Sequence, residues 1–283
     1  MIFTVGKSIS IVEFTEMNTL LAIDAGNSHV KYGHFRDGEL VEFWRHGLDA
    51  TEAECLAFLT RVEVDAVALA SVAPTAGAVL LDACKRLEKS VFEITASAQM
   101  FLSGMNDTMG ADRVADAVAA WKHYGQGRRP VLVMGFGTAT TLLAITSDGH
   151  VAGGWIAPGV TPTLEVLHDR CQLLPLLKME DYSENFGFDT ESHMRNGVFL
   201  GHVGLAKQWL ESGRRDLAAL GDKQEAVTIA TGGWGEAVQK FSPIFDYVDR
   251  ELTLRGVYII ANAALDNGHP KPAHNAASVN TSQ

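Results

Sequence analysis

The chain has 283 residues, 47% of them hydrophobic, which is enough for one large or two ordinary domains with their own cores. Its formal net charge at pH 7 is −11, and such a surface argues against nucleic-acid binding, which takes most of its affinity from basic stripes. No apolar run approaches the roughly 18–20 residues of a membrane span, so we expect no membrane-embedded segment.

Cysteine usage and the amino terminus indicate a cytoplasmic setting. The three cysteines are odd in number and widely spaced: Cys55, Cys84 and Cys171. They form neither a zinc pattern nor a disulfide framework, so we interpret them as buried small apolar residues in a reducing compartment. Residues 1–16 lack the apolar core of a signal peptide and are expected to be a disordered extension ahead of the fold.

The first strong local signal lies in residues 20–35. An apolar run from Leu20 to Ile23 ends on Asp24, and a tight turn around Gly26 separates it from a second apolar run. This pattern predicts a β-hairpin. Glycine permits a positive φ and a close approach to the backbone, so the turn N–H groups could cradle a phosphate while Asp24 faces its metal ion. An ordinary ligand-free Asp/Asn/Gly turn explains this segment equally well on its own.

The rest of the first half alternates between strand and helix patterns. Strands are predicted over 40–44, 67–72 and 91–94, helices over 50–62 and 75–88, a loop over 99–110, and an amphipathic helix from about 110 to 124. A linker rich in turn formers occupies 125–130 and ends the predicted first domain, 17–130.

The second half repeats the opening pattern of strand, glycine turn with hydroxyls, and strand. Strands are predicted over 131–134, 142–145, 151–157 and 227–230, and helices over 160–170, 190–212, 235–241 and 256–266. The predicted second domain is 131–266, and the polar tail 267–283 is expected to be disordered. Two similar α/β halves make a cleft in which their glycine turns could meet across one phosphate chain. Similar halves also arise without common origin.

Two residue groups suggest chemistry. Asp112, at the start of the amphipathic helix, is either an N-cap worth about 1 kcal/mol or a general base for a substrate hydroxyl during phosphoryl transfer. Arg113 could orient that base or pair with a substrate carboxylate, unless it simply faces solvent. The Thr-rich turn over 137–141 is either a phosphate cradle or the start of a strand that favours β-branched residues.

Taken in order, these segments resemble the type III pantothenate kinases, in the subgroup similar to Bvg accessory factor proteins. The matching segments are Asp24–Lys31, Gly110–Arg113, Gly137–Thr141, Gly153-Gly154 with Pro158-Gly159, Asp189–Glu191 and Thr231–Gly233. The resemblance covers about residues 18–262. It implies a duplicated actin/Hsp70/sugar-kinase-like (ribonuclease H-like) two-domain fold, with mixed sheets flanked by helices.

The resemblance also implies a reaction, in which ATP phosphorylates pantothenate to 4′-phosphopantothenate, the first step towards coenzyme A. The implied ATP-binding residues are Asp24, Ala25, Gly26, Asn27, Ser28, His29, Val30, Lys31 and Thr138. The implied pantothenate-binding residues are Gly110, Ala111, Asp112, Arg113 and Thr190. Asp112 would be the base, with Arg113 beside it, and Asp24 would lie near Mg²⁺, directly or through water. A homodimer is implied, with the substrate pocket near its interface.

Two departures from the family pattern qualify these implications. Most members carry an Asp that helps to bind a monovalent cation where this chain has Gly135, so the resemblance does not support bound K⁺ or NH₄⁺. The segment Phe101 to Met109 is shorter than usual and lacks the family Tyr of the substrate pocket. These departures keep open a non-catalytic accessory relative with the same fold, and another small-alcohol kinase of the superfamily.

Overall fold

The computed structural model describes residues 19–49 and 52–266, so the predicted extension over 1–16 and the tail over 267–283 lie outside the described residues. The described part contains two five-stranded mixed sheets flanked by helices, one sheet from each half of the sequence. In that part, no helix is both long enough and apolar enough to cross a membrane.

The first sheet comes entirely from the first half of the chain. Its strands are β1 Thr19–Ala25, β2 His29–Arg36, β3 Glu39–Gly47, β4 Ala66–Ser71 and β5 Val91–Glu93, in the spatial order β3-β2-β1-β4-β5. The first three strands are antiparallel, whereas β4 pairs in parallel with β1 and β5. Two helices make the crossovers, α1 Glu52–Arg61 before β4 and α2 Pro74–Arg86 after it.

The second sheet repeats this order strand for strand. Its strands are β6 Val131–Phe136, β7 Ala139–Ile145, β8 Val151–Pro158, β9 Val227–Thr231 and β10 Tyr247–Val248, in the spatial order β8-β7-β6-β9-β10. The helices of this half are α4 Val160–Arg170, α5 Thr190–Ala219, α6 Gly235–Phe241 and α7 Leu252–Asp266. The predicted internal repeat is therefore confirmed at the level of sheet topology.

The central strand β1 is buried on both faces because helices cover both sides of its sheet. Leu21 and Ile23 pack on one side in a cluster that includes residues of α1 and α2. Leu20 and Ala22 point to the other side, into a cluster that includes residues of both sheets. Burial on both sides explains why β1 reads as a nearly continuous apolar run.

Two helices lie between the sheets and join the halves into one core. They are α7 and α3 Ala111–Ala119, which continues into a π-helical turn over Ala120–Tyr124. Their backbones touch where Gly256 meets α3, and a Cβ on Gly256 would lie 2.0 Å from the carbonyl oxygen of Ala115. Because α7 packs against β1 as well as α3, the last helix of the second half completes the core of the first. The domain division at residue 130 stays a prediction.

Some predicted element boundaries were wrong. Helix α5 runs to Ala219 instead of ending near residue 212, because its last turns pack on the second sheet, where Gly213 contacts Leu132. The helix is continuous past Gly197 and Gly201, which face open space. Helix α7 begins at Leu252, earlier than the predicted 256, and the two-residue strand β10 gave no sequence signal.

The close contact between α3 and α7 leads to a stability prediction. We expect Gly256→Ala to lower the free energy of unfolding by about 1–3 kcal/mol, because the added methyl forces the two helices apart. Gly204→Ala, at an exposed position of α5 with open space around it, is the matched control and should leave stability unchanged or slightly raised. Chemical denaturation of the wild type and both variants measures the difference. Equal stability of the Gly256→Ala variant and the wild type would contradict the close packing.

Candidate active site

A cleft of about 710 Å³ opens between the two lobes. It lies where β1, β6 and β9 end and where α3 and α7 begin, so backbone turns and helix starts provide most of its wall. Nine of the predicted site residues line it: Asp24, Gly26, Asn27, Ser28, His29, Lys31, Asp112, Arg113 and Thr138. This is the position in which ligands bind to many two-lobed α/β proteins.

The β1–β2 turn forms the wall of the cleft on the first lobe. The N–H group of Gly26 donates to the carbonyl oxygen of His29 at 3.1 Å, which closes the predicted hairpin. Gly26 does not use the positive φ that glycine permits. Ala25 and Val30 are buried in the core and do not line the cleft.

Asp24 and Lys31 form an ion pair at the root of this turn. They are direct partners in the β1–β2 register, and Lys31 Nζ lies 3.5 Å from Asp24 Oδ2. Burial raises the pKa of the Asp24 carboxyl above its ordinary value, while the Lys31 ammonium acts in the opposite direction. The Lys31 ammonium therefore offsets part of the cost of burying the Asp24 carboxyl.

The β6–β7 turn faces the first one from the other lobe. A hydrogen bond joins Ser28 Oγ to Thr138 Oγ1 at 3.0 Å, so the two glycine turns touch across the cleft. The carbonyl oxygen of Thr138 accepts from the N–H group of Gly159, at the end of β8. A Cβ on Gly159 would lie 2.1 Å from the carbonyl oxygen of Gly137, which explains why glycine follows Pro158 here.

A third backbone turn follows β9. Gly232 has a φ of +86°, and a Cβ on it would lie 2.5 Å from the carbonyl oxygen of Phe136. Only glycine fits this position without strain. Thr231, Gly232 and Gly233 all line the cleft, so this turn presents backbone and no large side chain to it.

The start of α3 brings the predicted base and its neighbour into the cleft. The helix begins at Ala111 after Gly110, so Asp112 lies in the first turn and the N-cap interpretation was wrong. Asp112 Oδ1 accepts from the backbone N–H of Arg113 at 2.8 Å, and a first-turn carboxylate is also favoured by the helix dipole. Arg113 Nε is buried and has no hydrogen-bond partner among the described residues. An unpaired guanidinium N–H beside a cleft fits an anionic ligand.

A third carboxyl, not singled out from the sequence, lines the cleft one turn deeper. Asp116 follows Asp112 by one turn of α3, and its Oδ1 accepts from Thr253 Oγ1 of α7 at 2.8 Å. The pKa of Asp116 is raised to about 8, mainly by burial and next by the nearby Asp112 carboxyl. The i, i+4 spacing was visible in the sequence, but the partner on α7 was not.

The edge strand β3 adds residues at the mouth of the cleft that the sequence did not indicate. Arg45 Nη2 donates to His29 Nε2 at 2.9 Å, and Phe43 lies on the same strand with 43% of its surface exposed. Burial lowers the pKa of His29, and the nearby Arg45 and Lys31 charges lower it further. The neutral ring can therefore accept from Arg45 near neutral pH.

Other predicted residues lie elsewhere. Thr190 is the first residue of α5 and lines a separate groove of about 660 Å³, together with Pro158, Leu174 and His193. Gly110 and Ala111 shape the start of α3 without lining the cleft, and the shortened segment 101–109 does not line it either. Within residues 19–49 and 52–266, no group of three or more His, Cys, Asp or Glu side chains is arranged to hold a metal ion.

Comparisons of sequence and structure agree with this geometry. A profile of the family described as type III pantothenate kinase matches residues 20–212. A protein named type III pantothenate kinase 1, from Symbiobacterium thermophilum, is 31% identical over 257 residues, which are 85% of this chain and 95% of that protein.

Solved structures show the same fold at low identity. One, from Campylobacter jejuni and assigned by its description to the Baf family, has a TM-score of 0.57 and 20% identity, and the match covers 88% of this chain and 99% of that one. MreB 5 of Spiroplasma citri, bound to AMPPNP, has a TM-score of 0.50 and 13% identity, with 89% and 98% covered. These likenesses show the fold alone, and they confirm the predicted duplicated actin-like α/β class.

The profile and the Symbiobacterium relative together cover most of the chain and agree on one family. They confirm the predicted enzyme class, a kinase. This chain belongs to the type III pantothenate kinase family.

Proposed function

We propose that the cleft binds MgATP and transfers its γ-phosphoryl group to the primary hydroxyl of pantothenate, which yields 4′-phosphopantothenate and ADP and opens coenzyme A synthesis. The observation that carries the proposal is the contact between Ser28 and Thr138, which brings two glycine turns from two lobes together beside Asp24, with Asp112 lining the same cleft. Phosphoryl transfer depends mainly on positioning and charge stabilisation, and these groups are suited to both.

The nucleotide side of the proposal uses the three backbone turns. The turn N–H groups and the Ser28 and Thr138 hydroxyls would bind phosphate oxygens, and Lys31 would offset their charge. Asp24 would hold Mg²⁺ directly or through water. Because Mg²⁺ in such sites is typically held by one or two carboxylates plus phosphates, a single carboxylate beside the phosphate turns fits it. All three cysteines are free thiols, which is consistent with a cytoplasmic setting; Cys55 and Cys84 are buried as predicted, whereas Cys171 is exposed and its predicted burial was wrong.

A monovalent cation is not part of the proposal. Gly135 lies opposite Thr141 in the β6–β7 register, and a Cβ on Gly135 would lie 2.9 Å from Thr141 Oγ1. The hydroxyl of Thr141 thus occupies the space into which a side chain at position 135 would extend. We infer that this chain works without bound K⁺ or NH₄⁺ at that position.

The acceptor side of the proposal uses the start of α3. Asp112 accepts the proton of the pantothenate hydroxyl as the oxygen attacks the γ-phosphorus, and ADP leaves from the opposite side. Arg113 supplies the guanidinium for the pantothenate carboxylate, which would satisfy the buried Nε that lacks a partner. The proton on Asp112 is released to solvent through the open cleft after transfer.

A homodimer completes the proposal. The loop between α4 and α5 exposes large apolar side chains. The exposed fractions of Leu173, Phe186 and Phe188 are 95%, 94% and 98%. Large apolar side chains exposed together on one loop are a feature of protein–protein contact surfaces. The loop leads directly into Thr190 and its groove, so a second copy seated there would also explain how Thr190 could reach a pantothenate bound in the partner.

A non-catalytic accessory relative remains the second candidate. The observation that favours it is the shortened segment 101–109, which contributes nothing to the cleft wall. An assay of ADP release with pantothenate and MgATP separates the two candidates. Folded wild-type protein that binds nucleotide but releases no ADP across a wide range of pantothenate concentrations supports the accessory role.

The role of Asp112 leads to a kinetic prediction. Asp112→Asn should lower kcat by about 10²–10⁴-fold, because the amide cannot accept the hydroxyl proton. Binding of a non-hydrolysable ATP analogue should persist, since Asp112 contacts the acceptor. The matched control is Asp107→Asn, an exposed residue outside the cleft, which should behave as the wild type. Near-normal turnover of Asp112→Asn would remove Asp112 from the proposed role.

The proposed dimer leads to a second prediction. The double variant Phe186→Ser, Phe188→Ser should shift the protein from dimer to monomer in light scattering, because it removes apolar surface from the contact. Leu220→Ser is the control, since this exposed residue follows the opposite end of the 30-residue helix α5, roughly 45 Å away. A wild-type protein that is monomeric at micromolar concentration, or a double variant that stays dimeric, contradicts this surface.

A further inference from the structure

The cleft contains a carboxyl that the proposed mechanism does not use. Asp116 lies one helical turn beyond Asp112 on the same face of α3, and both line the cleft. The hydroxyl of Thr253 donates to Asp116 Oδ1 at 2.8 Å, so α7 holds one oxygen of this carboxyl in place. Among the described residues, Oδ2 has no hydrogen-bond partner.

The charges around Asp116 favour its neutral form. Besides burial, Asp112 of α3 and Asp24 of β1 raise the pKa of Asp116, and Lys31 of β2 lowers it by a smaller amount. From α7 it meets the uncharged Thr253, and Arg250 and Glu251 before that helix line the same cleft. Burial, followed by the Asp112 charge, raises the pKa of Asp116 to about 8. Below that pH the carboxyl therefore holds a proton, as happens when a carboxyl is buried beside other carboxylates.

A neutral acid in this position changes what the cleft can bind. Another negative charge beside Asp24 and Asp112 would repel a triphosphate, whereas a protonated carboxyl at Asp116 adds no charge and offers an O–H donor. Enzymes use carboxylic acids kept neutral by burial as hydrogen-bond donors to developing negative charge.

We propose that Asp116 is a further catalytic residue of this cleft: its carboxyl, anchored by Thr253 and protonated, donates a hydrogen bond to an oxygen of the phosphoryl group in transfer. This inference rests on the proposed binding of ATP in the cleft. Asp116 donates a hydrogen bond only, and the proton of the acceptor hydroxyl goes to Asp112. Ionisation of Asp116 removes the donor and adds repulsion, so the activity falls as the pH rises through the Asp116 titration.

The test compares pH profiles of kcat/KM for ATP from pH 6.5 to 9.5. The wild type should lose about tenfold per pH unit above about pH 8, as expected for one required protonated group. Asp116→Asn keeps a donor that does not titrate, so it should lose about 3- to 10-fold at pH 7 and lack the fall at high pH. Asp116→Ala lacks a donor and should lose about 10²-fold or more throughout.

Thr253→Val is a second variant, for which we predict the direction in which the pH profile moves. The Thr253 hydroxyl bonds the ionised form of Asp116 and lowers its pKa, so its removal should move the fall to higher pH. A merely structural role of Thr253 would lower activity without moving the profile. An Asp116→Asn profile that falls as the wild type does, or an Asp116→Ala variant with near-normal activity, overturns the inference.

Binding of a non-hydrolysable ATP analogue, measured over the same pH range, tests the role of Asp116 independently of whether pantothenate is the phosphoryl acceptor. The Kd of the wild type should rise above pH 8, and that of Asp116→Asn should not. If pantothenate gives no ADP but this difference in Kd appears, the neutral acid stands and the acceptor is wrong. If neither profile depends on residue 116, the neutral acid is refuted whatever the acceptor.

Discussion

The rest of the structure depends on the contact between α3 and α7. Gly256 lies so close to the carbonyl oxygen of Ala115 that no larger residue fits without displacement, and this contact holds both helices between the two sheets. The first turns of α3 and α7 therefore meet at the cleft. Asp116 of α3 accepts a hydrogen bond from the hydroxyl of Thr253 on α7, and Asp112 lines the same cleft, to which the glycine turns of both lobes also contribute.

Short-range sequence patterns were enough to predict the strands that occur in both halves of the chain. A buried strand, a glycine turn and a second strand are encoded by neighbouring residues, so the β1–β2 and β6–β7 hairpins could be predicted from the sequence. The parallel partners β4 and β9 followed from short apolar runs after helical patterns. The placement of Asp24, Ser28 and Thr138 around one cleft was then a consequence of duplication, because equivalent turns of equivalent sheets face each other.

Features that depend on long-range packing could not be predicted in the same way. Asp116 looked like an ordinary helix residue, since its partner Thr253 lies 137 positions further along the chain. Thr190 was expected at the substrate, but within one copy it lines a separate groove. The strand β10 has two residues and is defined by its parallel pairing with β9, a contact that local sequence does not encode. The N-cap alternative for Asp112 was wrong because the helix begins after Gly110, and a two-residue shift of a helix start leaves no trace in composition.

The central claim is that turns from both lobes bind one nucleotide together. Amide hydrogen exchange with and without a non-hydrolysable MgATP analogue tests it most directly. We predict slower exchange at the same nucleotide concentration in both turns, residues 24–31 and 135–141, and in the turn after β9, with no change in the groove beside Thr190. Protection confined to one lobe, or found in the groove instead of the cleft, would contradict the account.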